Sequence, residues 1–209
     1  MLDTSLYLVT DSTGLDEKLF LEKTEAALQN GVTFLQLREK EKSTREYMAL
    51  AEKVHAISRK YNVPLLIDDR IDVAMAVGAE GVHLGQSDMP ISIARKIMGS
   101  SYIIGATAKT VPQALEAYNS GADYLGVGAI YPTTTKVKTV LTSVDTLQAI
   151  CDAVPIPVNA IGGLNRENID ILVGKPISGI CVVSAIMKAD DSGLAARELR
   201  QAMQEKLHI

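Results

Sequence analysis

Eight short apolar runs recur along the chain: Leu6–Thr10, Thr33–Arg38, Leu65–Asp68, Gly81–Leu84, Ile103–Ala106, Tyr124–Gly128, Val158–Ile161 and Gly179–Val183. Each is apolar almost throughout rather than alternating, the pattern of a parallel strand covered on both faces. Between the runs lie stretches of helical period. In residues 16–30, for example, Leu19, Phe20, Lys23, Ala26, Ala27 and Asn30 are expected to share one stripe. Gly31, Gly78 and Gly121 each follow such a stretch, where a left-handed helix cap is wanted. Eight strand–helix units within 209 residues predict a (β/α)8 barrel in a single domain, residues 1–209. A doubly wound open sheet fits less well, because the first turn, "LVTDSTGLDEK", carries no GxGxxG.

A formal net charge of −4 argues against general binding to nucleic acid or an anionic membrane. Any anionic ligand must be held by a local cluster. No run approaches the roughly 20 apolar residues of a membrane span, and "MLDTSLYLVTD" has no basic, leader-like character; the expected location is the cytoplasm. Aromatic residues make up only 4%, with no Trp, so the core is expected to consist of Ala, Val, Ile and Leu. Cys151 and Cys181 form no CxxC and are expected to be reduced, buried thiols.

In a barrel of this kind, active sites form where the strands' C-terminal ends open into loops. The second run leaves through "LQLREK", where Gln36, Arg38 and Lys40 point to one side. An Arg there is set to meet phosphate oxygens with its planar fork, while Glu39, Glu41 and Lys42 read as a solvated charge run. The third run ends in Asp68 and Asp69, and the fourth leads to Asp88. Asp88 could equally cap a helix before Pro90. Asp72 reads as a helix-dipole partner. Carboxylates on adjacent strand ends beside cations suit Mg2+, which takes one or two carboxylates and completes its shell with water and phosphate. His83 reads as a packed core residue, His55 as a helix-surface residue and His208 as a tail residue. The fifth run offers Thr107 and Lys109. The sixth leads into "AIYPTTTK", with Thr133, Thr134, Thr135 and Lys136. Gly162-Gly163 after the seventh run and Val183-Ser184 after the eighth supply amides and a hydroxyl of the kind that holds a phosphate in this fold.

The mouth thus carries two kinds of anion equipment. A nest of amides and hydroxyls suits a monophosphate, and Arg, Lys and Asp suit a magnesium-bound pyrophosphate. Without an apparent nucleophile, this suggests a transfer in which pyrophosphate leaves, driven by positioning and charge stabilisation.

"LYLVTD", "QLREK", "IDDRIDVA", "GVHLGQSDMP", "GADYLGVGAIYPTTTK", "AIGGL" and "VVSAI", in this order across almost the whole chain, resemble the thiamine-phosphate synthase family. The resemblance implies that a pyrimidine pyrophosphate, 4-amino-5-hydroxymethyl-2-methylpyrimidine pyrophosphate, joins a thiazole phosphate dissociatively. It implies that Gln36, Leu37, Arg38, Glu39, Lys40, Asp68, Thr107 and Lys136 meet the pyrimidine pyrophosphate. Arg38, Thr107 and Lys136 would act on the chemistry. Asp69 and Asp88 would hold Mg2+, and Thr133, Thr134, Thr135, Gly163, Val183 and Ser184 would meet the thiazole phosphate. The partners implied are these two small molecules, with a homo-oligomer compatible. Three features depart from the family pattern: Asp68 in an Asn place, Thr107 and Lys109 in "GATAKT" where Ser and His are common, and "KVKTVLTSV" after Lys136. Lys109 is expected either to offset the extra charge of Asp68 or to stand as a solvated loop residue. Two readings compete with the synthase: a thiazole tautomerase relative and a non-catalytic phosphate-ligand sensor.

Overall fold

In a computed structural model the chain forms a closed barrel of eight parallel strands in sequence order. Residues 2–132 and 140–209 are described. The strands are β1 (Leu6–Val9), β2 (Phe34–Leu37), β3 (Leu65–Asp68), β4 (Gly81–Leu84), β5 (Ile103–Ala108), β6 (Tyr124–Gly128), β7 (Val158–Ile161) and β8 (Gly179–Val182). The expected barrel is therefore the observed one. Closure comes from β1 pairing with both β2 and β8, with Leu8 opposite Leu35 and Val182.

The outer layer contains α1 (Glu17–Gln29), α2 (Thr44–Lys60), α3 (Ile71–Val77), α4 (Ile91–Met98), α5 (Val111–Asn119), α6 (Val144–Ala153), α7 (Ser184–Met187) and α8 (Ser192–Lys206). Among the described residues, β7 is followed by a single 3-10 turn, Ile169–Leu172, rather than an α-helix. Local chemistry sets several helix starts. Asp16 accepts the Leu19 N–H at α1, and Ser43 and Glu46 form a reciprocal capping box at α2. Among the described residues no helix is long and apolar enough to cross a membrane.

The α1 stripe is rotated from its expected phase. Phe20, Thr24, Ala27 and Leu28 are buried, while Leu19 is exposed. Thr24 can face inward because its hydroxyl donates to the Phe20 carbonyl at 2.8 Å, which hides its polarity.

Two apolar cores result. The larger, between strands and helices, is mostly aliphatic, as composition implied. The smaller fills the barrel with Tyr7, Val9, Phe34, Leu66, Tyr124 and Cys181. Here the aliphatic expectation fails. Three of the chain's few aromatic rings meet edge-to-face, with centroids 4.8 Å apart for Tyr7–Phe34, 5.1 Å for Phe34–Tyr124 and 5.7 Å for Tyr7–Tyr124. Edge-to-face packing contributes beyond area burial because ring edges and faces carry opposite partial charge. Cys181 is buried among them and Cys151 is half-buried; both are free thiols. Burial pushes both up, Cys151 to about 11, so neither is a ready thiolate.

His55 is not a surface residue. It is buried on α2, 3.1 Å from Glu80 Oε1, while Glu80 Oε2 accepts the Leu65 N–H at 2.8 Å. The pair fastens α2 to the start of β3.

Candidate active site

A cavity opens at the C-terminal ends of the strands. Gln36, Arg38, Asp68, His83, Thr107 and Lys109 form one wall, and Gly162, Gly163, Val183 and Ser184 form the other. Of the residues expected at the site, the fold thus brings Gln36, Arg38, Asp68, Thr107, Gly163, Val183 and Ser184 to one space.

Asp68 ends β3 and is largely buried. Its Oδ2 lies 2.6 Å from Lys40 Nζ and 3.8 Å from Arg38 Nε, without a well-aligned hydrogen bond to either. Burial raises its pKa, opposed by Lys40, while the neighbouring Asp69 charge pushes it further up. The cation expected opposite Asp68 was Lys109. The structure corrects this: no ion pair joins them among the described residues, and Lys40 and Arg38 take that place. β2 lies directly beside β3, whereas β5 lies two strands away.

Asp69 follows with φ 61°, a left-handed conformation that Asp adopts more readily than most residues. Its Oδ2 accepts a hydrogen bond from Lys40. Burial raises the Asp69 pKa, but Lys40 and Asp88 outweigh it and hold the carboxyl below its ordinary value. Asp88 is shifted the opposite way, by burial and then by Asp69. The two acids therefore face each other closely enough to titrate as a pair. Asp88 Oδ2 accepts the Gly85 N–H at 2.7 Å. It does not cap α4, whose N-cap is Pro90 without a side-chain bond. The helix-cap alternative is thereby excluded. Asp72 lies in the first turn of α3, as a helix-dipole partner should, and also pairs with Arg70 at 2.5 Å.

His83 is a correction as well. It lines the cavity rather than resting in apolar packing. Its Nδ1 is 2.9 Å from the Tyr124 hydroxyl and its Nε2 is 3.0 Å from Thr107 Oγ1. The Tyr124 hydroxyl is 2.8 Å from that of Tyr7, which accepts from Gln36 Nε2. This network fixes Thr107 and Gln36 from beneath the cavity. Burial pushes both phenols well up, so they remain protonated. The strand position of His83 was visible in the sequence, but its partners on β1 and β6 were not.

Two other expected residues face elsewhere. Leu37 is fully buried in the outer core, and its carbonyl accepts from the Tyr47 hydroxyl at 2.6 Å. Glu39 turns toward the loop after β1. Ser12 donates to it at 2.9 Å and Lys42 lies 3.9 Å away. Its side chain is only 6% exposed, so it is no solvated charge. Burial raises its pKa. Thr133, Thr134, Thr135 and Lys136 lie outside the described residues.

On the opposite wall, Gly162 and Gly163 have φ of 107° and 65°. Their carbonyls are turned into the protein, where they accept from the Tyr131 N–H at 3.0 Å and Asn168 Nδ2 at 2.8 Å. A Cβ on Gly163 would lie 2.7 Å from the Pro132 carbonyl, so only glycine fits the turn.

A model of the thiamine monophosphate synthase family matches residues 6–186. The chain belongs to that family. It is 52% identical over 203 residues to thiamine-phosphate synthase 2 of Streptococcus pneumoniae serotype 4, covering 97% of this chain and 95% of that one. Identity to the thiamine-phosphate synthase of Enterococcus faecalis is 50%, covering 88% and 87% of the two chains. Among solved structures, thiamine phosphate pyrophosphorylase from Pyrococcus furiosus superposes with a TM-score of 0.89 at 39% identity, covering 99% of this chain and 98% of that one. The family that the ordered motifs resembled is thus the one to which the thiamine monophosphate synthase fold and sequence assign it.

Proposed function

We propose that this chain joins 4-amino-5-hydroxymethyl-2-methylpyrimidine pyrophosphate to 4-methyl-5-(2-phosphoethyl)thiazole, forming thiamine monophosphate and releasing pyrophosphate in the cytoplasm. One observation carries the reading: one cavity has Arg38, Asp68 and Lys109, at the ends of β2, β3 and β5, facing the glycine turn and Val183-Ser184. Two phosphorylated reactants can meet there with their anionic ends apart.

Asp69 and Asp88 fit a Mg2+ site. Two facing carboxylates, one raised and one lowered in pKa, are relieved when a cation lies between them, and Lys40 already sits against Asp69. Bound there, Mg2+ would supply charge neutralisation for pyrophosphate.

The chain's own groups then divide the work. Lys40 and Arg38 orient the pyrophosphate end, and Thr107, held by His83, offers its hydroxyl to the same reactant. Lys136 is assigned to the leaving group by the family resemblance alone. The Gly163 and Ser184 amides hold the thiazole phosphate so that its ring nitrogen faces the pyrimidine methylene. As the C–O bond to pyrophosphate breaks, its electron pair leaves with pyrophosphate, and the methylene cation is captured by the thiazole nitrogen. Charge stabilisation and alignment provide the acceleration, without a covalent enzyme intermediate.

Mixing both substrates with Mg2+ and measuring pyrophosphate and thiamine phosphate tests this. Stoichiometric release of both supports the synthase. Isomerised thiazole without pyrophosphate would indicate the tautomerase, and binding without turnover the sensor.

A further inference from the structure

Lys109 sits half-buried on the cavity wall at the end of β5. Its backbone is fixed: the N–H donates to Gln113 Oε1 at 2.8 Å, and the next residue, Thr110, caps α5. Its ammonium has no ion pair or side-chain hydrogen bond among the described residues. The other cations at this wall are committed, Arg38 to Asp68 and Lys40 to Asp68 and Asp69. Residues 133–139, Thr-Thr-Thr-Lys-Val-Lys-Thr, include no acid that could neutralise it.

The position of Lys109 also selects a side of the cavity. Gln86, in the loop that carries Asp88, donates through Nε2 to the Thr107 carbonyl at 2.6 Å. This bond ties the Asp88 loop to the end of β5, away from the glycine turn after β7. Asp68 adds a negative charge to this wall, and the nearby cations Arg38 and Lys40 are already engaged with acids. A half-buried ammonium without an acidic partner among the described residues attracts an incoming polyanion more strongly than a solvated one would.

We infer that Lys109 is a substrate-binding residue selective for the pyrophosphate end of the pyrimidine reactant, rather than a counter-ion for Asp68. The inference rests on the synthase reading above and adds a contact that the family's common His in this place would supply only when protonated.

Calorimetric titration of the purified full chain with magnesium pyrophosphate, and separately with the thiazole phosphate, tests it. Lys109→Gln should weaken pyrophosphate binding roughly tenfold or more, the scale of one charge-assisted contact, and leave thiazole phosphate binding unchanged. Lys109→Arg, which keeps the charge, should stay within about threefold of the parent. Unchanged pyrophosphate binding in Lys109→Gln overturns the inference, as does equal weakening of both ligands. The outcome is separable from the synthase reading. A parent protein that makes no thiamine phosphate yet loses pyrophosphate affinity with Lys109→Gln defeats the reaction and keeps the contact. An active parent with an indifferent Lys109→Gln does the reverse.

Discussion

Lys40 places its ammonium 2.6 Å from the buried Asp68 Oδ2 while hydrogen-bonding to Asp69. One cation thus serves two consecutive carboxylates. It does not fully compensate Asp68, whose pKa remains raised because burial outweighs Lys40. An acid whose folded pKa is raised favours the folded state below its unfolded value, near 3.9, and loses that advantage as pH rises through the folded value. Asp68→Asn removes this penalty. Its melting temperature relative to the parent should therefore be more favourable at pH 7 than at pH 3.5. Thermal unfolding at the two pH values checks the sign, and an equal difference at both would show that Asp68 is not strained by its burial.

Asp88→Asn separates metal binding from loop structure. Asn retains an oxygen for the Gly85 N–H, so stability should change by less than about 1 kcal/mol, while the Mg2+ concentration needed for half-maximal activity rises. A magnesium titration beside a denaturant melt measures both. Normal magnesium dependence would remove Asp88 from the proposed site.

Tyr124→Phe deletes the hydroxyl that joins Tyr7 to His83. Both partners are then left short of a buried hydrogen bond, so the loss should be about 1–3 kcal/mol. A urea melt gives the stability change. Turnover should also fall, because His83 no longer holds Thr107 in place; retention of full kcat would limit the network to a structural role.

Lys136→Ala should lower kcat by about 10²–10³ while leaving thiazole phosphate affinity nearly intact, since one charge-assisted contact at a developing anion contributes roughly 2–4 kcal/mol to the barrier. Steady-state kinetics with each substrate varied in turn provides the check. An unaltered kcat would take Lys136 out of the leaving-group step.

The strands were legible because their signal is local: a parallel strand covered on both faces is apolar at nearly every position, and β3, β4, β6 and β7 match their apolar runs from end to end. The acids Asp68, Asp69 and Asp88 were legible because they stand at strand ends or in the loops that follow. What escaped depends on contacts distant in sequence. Tyr7 and Tyr124 are 117 positions apart, so no local pattern reveals that they share a hydrogen bond or that His83 joins them. His55 sits in a helix whose period says little about Glu80 across the layer. The pairing of Asp68 was misjudged for a related reason. Charge arithmetic suggested Lys109, but strand adjacency gave the place to Lys40.

The three rings of Tyr7, Phe34 and Tyr124 have a consequence for traffic. They are fully buried and fill the barrel beneath the cavity. In the proposed reaction, reactants would then arrive and products depart at the C-terminal ends of the strands rather than along the axis. A ligand seated against this floor would be admitted first and discharged last, so the packing of three side chains would impose a queue on that reaction.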